Sequence, residues 1–137
     1  MVNPELEQCL DFLPRFDENG LIPAIAQDCQ TGQVLMLAYM NRQALDETIR
    51  TGQAVYYSRS RRQLWRKGQE SGHVQHVEQI LVDCDQDALV LKVKVSGGQC
   101  HTGHQSCFYR AVEPGRPDKL RLIAEKVFDP ASAYKRT

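Results

Sequence analysis

The chain has 137 residues, 42% of them hydrophobic, and its seventeen basic residues balance seventeen acidic ones. That length suits one domain around a single core, and a second folding unit would be hard to fit. The charge balance leaves no footprint for nucleic acid and no polybasic attraction to membranes, so any anion binding must be local.

Asn3 before Pro4 is an N-cap with proline at the first helical position, and Leu6, Cys9, Leu10 and Leu13 recur at helical spacing. The pattern predicts a short amphipathic helix over about residues 4 to 12 with Cys9 on its apolar side. Met1 to Glu7 lacks a basic region followed by an apolar run, and no later stretch reaches the roughly 20 apolar residues that span a bilayer. A cytoplasmic protein is expected, whose five cysteines are thiols or metal ligands rather than a disulfide framework.

Asp17-Glu18-Asn19-Gly20 is a turn, after which Leu21 to Gln27 and Val34 to Met40 read as β-strands joined by a hairpin connection containing an incidental Cys29. Asn41 caps a predicted helix to about Arg50, with Ala44, Leu45 and Ile49 on one face and Gly52 as its stop. Ala54 to Ser58 is rich in β-formers. Ser58 to Gly72 is the one basic concentration. It reads either as a solvated loop anchored by Trp65, or as a loop whose guanidinium and hydroxyl groups hold phosphate while Trp65 stacks on a base. His73 to Val82 and Ala88 to Val95 predict an antiparallel pair with the intervening aspartates at the hairpin tip. Cys107 to Val112 reads as the last strand, Glu113-Pro114-Gly115-Arg116-Pro117 ends the regular structure, and Pro130 stops any element over Leu120 to Phe128.

The chemistry concentrates in two stretches. In Asp83-Cys84-Asp85-Gln86-Asp87, carboxylates suited to magnesium alternate with a thiolate suited to zinc. Were the segment extended, Asp83 and Asp85 would face one way and Cys84 the other. Asp83 and Asp87 would then stand roughly 13 Å apart, so convergence of all three aspartates requires a curl near Gln86. Cys100 and Cys107 can join Cys84 around one zinc ion, leaving a position for water as in catalytic sites. His101 or His104 could instead close a structural tetrahedron. Two functions follow from the residues alone: a metal-assisted hydrolase with the Trp65 loop holding a nucleotide, or a zinc-stabilised binding module without catalysis.

From about Gly20 to Val112 the sequence resembles the phosphoribosyl-AMP cyclohydrolases of histidine biosynthesis. The resemblance is carried by Val34 to Asn41, Tyr57-Ser58-Arg59-Ser60-Arg61, Leu64-Trp65-Arg66-Lys67-Gly68 with Ser71-Gly72-His73, Asp83 to Asp87, Cys100-His101-Thr102-Gly103 and Ser106 to Arg110. It implies an α+β, β-rich fold, mainly antiparallel with short helices, in an intertwined homodimer. One domain would occupy residues 1–137, with its core over about 20–112 and a tail over 113–137. It implies hydrolysis of the adenine N1–C6 bond of 1-(5-phosphoribosyl)-AMP, a small nucleotide, with neither nucleic acid nor membrane as partner. Zinc would be held by Cys84 of one subunit with Cys100 and Cys107 of the other, and magnesium by Asp83, Asp85 and Asp87. His101 is the expected proton carrier, being adjacent to Cys100, while Arg59, Arg61 and Lys67 are expected to bind phosphate and Trp65 to lie near the purine. Where the family pattern has an acidic residue this chain has Gln69, followed by Glu70. Some relatives carry a fused pyrophosphohydrolase domain, and the chain is too short to include one.

Overall fold

The computed structural model describes residues 3–133, so residues 1–2 and 134–137 of the expected domain lie outside the described residues. The elements in chain order are α1 (Pro4–Gln8), β1 (Ile22–Asp28), β2 (Val34–Met40), α2 (Arg42–Thr51), β3 (Val55–Ser58), β4 (Gln63–Arg66), β5 (Gln75–Val82), β6 (Leu89–Val95), β7 (Arg110–Val112), β8 (Leu120–Leu122) and α3 (Pro130–Ala133).

The centre is a four-stranded sheet in the order β2-β1-β6-β5. The hairpins β1–β2 and β5–β6 are antiparallel, as expected, and they are joined edge to edge by a parallel pairing of β1 with β6. The fold is thus β-rich, mainly antiparallel and carries short helices. Alternate residues of β1 and β6, Ile22, Ala24 and Ala26 with Leu89, Leu91 and Val93, are buried, because side chains of a strand point to opposite faces. Leu35, Met40, Leu45 and Tyr56 close the core over that face.

Helix α2 begins where Asn41 Oδ1 accepts from the Ala44 N–H at 2.8 Å. It ends at Gly52, whose left-handed φ of 73° suits a residue without a Cβ. Its buried face is Ala44, Leu45 and Thr48, while Ile49 is exposed. The expectation for Ile49 fails because Thr48 takes the inner position: its hydroxyl donates to Ala44 O at 2.9 Å and accepts from Val55 N at 3.0 Å.

Three further expectations are corrected. Helix α1 stops at Gln8 and buries none of its residues, with Leu10 and Leu13 exposed and Cys9 outside the core. The basic stretch is not all loop, since β4 pairs with β3, setting Trp65 opposite Tyr56 with ring centroids 5.1 Å apart. Regular structure does not end at Glu113, because residues 113–119 turn the chain into β8, which pairs with β7. Pro130 opens α3, as its fixed φ favours the first helical position.

Candidate active site

The loop that follows β6 carries Cys100 and Cys107, and backbone bonds fix both. Cys100 N–H donates to His104 O at 3.1 Å, and Cys107 N–H donates to Leu35 O at 2.7 Å. Ser106 adds a hydroxyl bond to Val34 O at 2.7 Å, so this loop is fastened to the outer strand of the sheet. At the turn, Gly103 has φ 95° and a Cβ there would stand 2.5 Å from Phe128 O, so no other residue fits without moving the backbone.

Behind the loop runs a buried polar chain. Tyr56 OH donates to Gln75 Oε1 at 2.7 Å, Gln75 Nε2 donates to Gln99 Oε1 at 3.1 Å, and Gln99 Nε2 donates to Gly97 O at 3.2 Å. Burial pushes the Tyr56 phenol well up, keeping it a donor. This network fixes the residue preceding Cys100 to the core, and its glutamines carried no motif by which the sequence would reveal them.

Cys107, His101, Arg61, Trp65, Lys67 and Glu70 line one cavity of about 380 Å³, with Gln99 in its wall. Arg59 is not among them. Its guanidinium lies 4.1 Å over the Tyr39 ring, in an adjoining cleft that shares Leu37 and Ser60 with the cavity. Gln69 lines the cavity too, and its side chain accepts from Arg66 N–H at 3.0 Å.

The Cys107 thiol and the Lys67 amine beside this cavity shift one another. Burial first, then the charge of and hydrogen bond to the adjacent Cys100 sulfur, push the Cys107 thiol up to about 12, with Lys67 opposing them. Lys67 is itself lowered by burial, with the charges of Cys107 and Cys100 pulling the other way. Two soft donors that resist ionising together are a donor set that zinc would stabilise as thiolates. Among the described residues, however, no three His, Cys, Asp or Glu side chains of one chain form a metal-holding group. Cys84 is exposed and is not brought to the other two sulfurs within the chain.

The aspartate stretch is a turn and not an extended strand, so the expected opposition of Asp83 and Asp85 to Cys84 does not apply. The curl does fall at Gln86, with φ 57°. Asp83 Oδ1 accepts from the N–H groups of Asp87 at 3.0 Å and Ala88 at 3.2 Å, which closes the turn. Asp83 holds the Asp87 carboxyl above the usual range, first by hydrogen bonding, then with burial and the charges of Asp83 and Asp85 adding. Carboxylate oxygens suit a hard cation, but among the described residues Asp83, Asp85 and Asp87 do not assemble into a metal-holding group within one chain. Gln86 also anchors the amino-terminal segment, its Oε1 accepting from Leu13 N at 2.7 Å and its Nε2 donating to Asp11 O at 3.2 Å.

The profile of the phosphoribosyl-AMP cyclohydrolase family matches residues 36–109, which contain both cysteine stretches and the cavity. The chain belongs to that family. A cyclohydrolase of this name from Methanococcoides burtonii is 58% identical over 125 residues, covering 91% of this chain and 98% of that protein. One from Nitrobacter winogradskyi is 53% identical, covering 96% of this chain and 92% of its own length. Another, from Hyphomonas neptunium, is 65% identical over 105 residues, covering 77% of this chain and 80% of that protein. Family membership turns the choice between hydrolase and binding module towards the hydrolase.

Proposed function

We propose that the chain hydrolyses the adenine N1–C6 bond of 1-(5-phosphoribosyl)-AMP, opening the ring to the formimino-carboxamide ribonucleotide, as a step of histidine biosynthesis in the cytoplasm. The observation that carries this reading is the convergence of Cys107, with Cys100 beside it, His101 and a basic aromatic wall on one cavity in a chain of this family.

Zinc held by Cys100 and Cys107, with Cys84 completing the set from a second copy, would lower the pKa of water to about 7 and so supply a nucleophile at neutral pH. The chain's own residues do the rest. Trp65, tilted against Tyr56, offers an aromatic face to the purine. The substrate is phosphorylated at both ends, and Arg61 and Lys67 in the cavity with Arg59 in the adjoining cleft provide basic groups for both. His101, exposed on the cavity wall, takes one proton from the attacking water and delivers it to N1 as the N1–C6 bond breaks, while the second water proton passes to the exocyclic nitrogen, which becomes the carboxamide NH2 as C6 becomes a carbonyl. Asp83, Asp85 and Asp87 are the groups that would hold magnesium, a hard cation matched to carboxylate oxygen.

The active unit is a homodimer. Exposed apolar side chains at Val112, Leu120, Leu122, Ile123 and Val127 on the outlying hairpin and its sequel, and at Leu10 and Leu13 near the amino terminus, supply surface for it. Its intertwining is what would bring Cys84 of one copy to the thiol pair of the other.

An ultraviolet assay on phosphoribosyl-AMP, with and without zinc chelation, tests the reaction; zinc-dependent ring opening is expected, and its absence at full zinc loading would sink the reading. His101→Ala should lose most turnover while keeping zinc. Trp65→Ala and Arg61→Ala should raise KM at unchanged zinc content.

A further inference from the structure

On the side of the loop bearing Cys100, two residues outside the scheme above lie in series behind its sulfur, Thr102 against it and His104 against Thr102. Thr102 Oγ1 lies 3.0 Å from Cys100 Sγ, with the hydroxyl as donor, and the same oxygen lies 2.7 Å from His104 Nδ1. A hydroxyl has one proton to give, and a thiolate ligand can only accept. With that proton committed to sulfur, the Thr102 oxygen must itself receive a bond, and His104 supplies it from Nδ1–H. The ring cannot swing away. It is buried, and it stacks flat on Tyr109 with centroids 3.6 Å apart and planes 4° from parallel.

We propose that His104 and Thr102 are positioning residues for the zinc site, forming a directed chain from His104 Nδ1–H through the Thr102 hydroxyl to Cys100 Sγ. The inference rests on the reading of Cys100 as a zinc ligand. A donor on a ligating sulfur disperses its charge, fixes the orientation of its lone pairs and leaves the metal more electrophilic, the role that supporting hydrogen bonds play around metal centres. His104 thus serves the metal indirectly and is not a ligand that closes the coordination shell.

The experiment uses the full-length protein loaded with zinc or with cobalt(II), whose thiolate charge-transfer bands report on the sulfur. Thr102→Val removes the hydroxyl at nearly constant volume. It should weaken zinc retention against a competing chelator by roughly 10-fold or more and move the thiolate-to-cobalt band. Thr102→Ser, which keeps the donor, should restore both. His104→Phe retains the aromatic stack but not the donor; it should shift the band in the same direction by less, and add nothing in the Thr102→Val background because the two residues act in series. A Thr102→Val protein with native zinc affinity and spectrum, beside a native protein with a clear thiolate band, would overturn the chain while leaving the zinc reading intact. Loss of zinc that Thr102→Ser fails to restore would also overturn it. Absence of any thiolate band in the native protein would instead remove the zinc reading, and this inference with it.

Discussion

The four-stranded sheet and the β7–β8 hairpin are built from similar apolar residues and end in opposite states. In the sheet, Ile22, Leu35, Leu89, Leu91 and Val93 are almost wholly removed from solvent by their own chain. In the hairpin, Val112, Leu120 and Leu122 stay more than half exposed, at 62%, 56% and 63%. The inner strands of the sheet bury their apolar side chains within one copy, whereas the hairpin presents surface that a single copy leaves uncovered. The cysteines proposed to hold zinc are placed differently too: Cys107 is tied to β2 through Leu35 O and Cys100 is buried in the same loop, while Cys84 sits exposed on the aspartate turn.

The largest expected effect breaks this contrast at the metal. Cys84→Ser and Cys107→Ser proteins should each be inactive, yet mixing them under subunit exchange should recover about a quarter of native turnover, because half of the dimers are mixed and each mixed dimer has one intact site. No recovery after demonstrated exchange would confine the site to one chain. Next, Leu122→Lys should convert dimer to monomer in a sedimentation measurement and abolish turnover together with zinc retention, while the sheet stays folded by circular dichroism. On the scaffold side, Leu91→Ala should cost about 2–5 kcal/mol in denaturant unfolding without changing molecular mass. Ile49→Ala should cost under about 0.5 kcal/mol, since that side chain is already exposed.

What the sequence disclosed follows the same division. The hairpin β1–β2, helix α2 and the pair β5–β6 were legible because their periodicity, the Asn41 cap and the Gly52 stop all act within the chain. Strand β4 was hidden because Gln63-Leu64-Trp65-Arg66 offers too little alternation among charges, and its pairing depends on Tyr56 opposite Trp65. Strand β8 was missed for a different reason: its apolar residues face away from this chain's core, so intrachain burial could not signal them. Ile49 misled because a hydrophobicity pattern cannot foresee that Thr48 will be satisfied by Ala44 and Val55. In the site, the cysteines and aspartates announced themselves by type. Thr102, Gln75 and Gln99 did not, because their roles are set by neighbours that only the fold supplies.

The fastening at Gln86 gives the amino-terminal arm reach. A buried amide spanning 73 positions of sequence holds Leu13 against the aspartate turn. Deleting the arm through Arg15 would remove the partners of that amide and open it to water, loosening the turn it holds. The damage should surface first as quicker proton–deuterium exchange at Asp87 and Ala88, with the sheet still protected. Tags and trimmed ends at this terminus are thus perturbations of the acidic turn, however remote they look on paper.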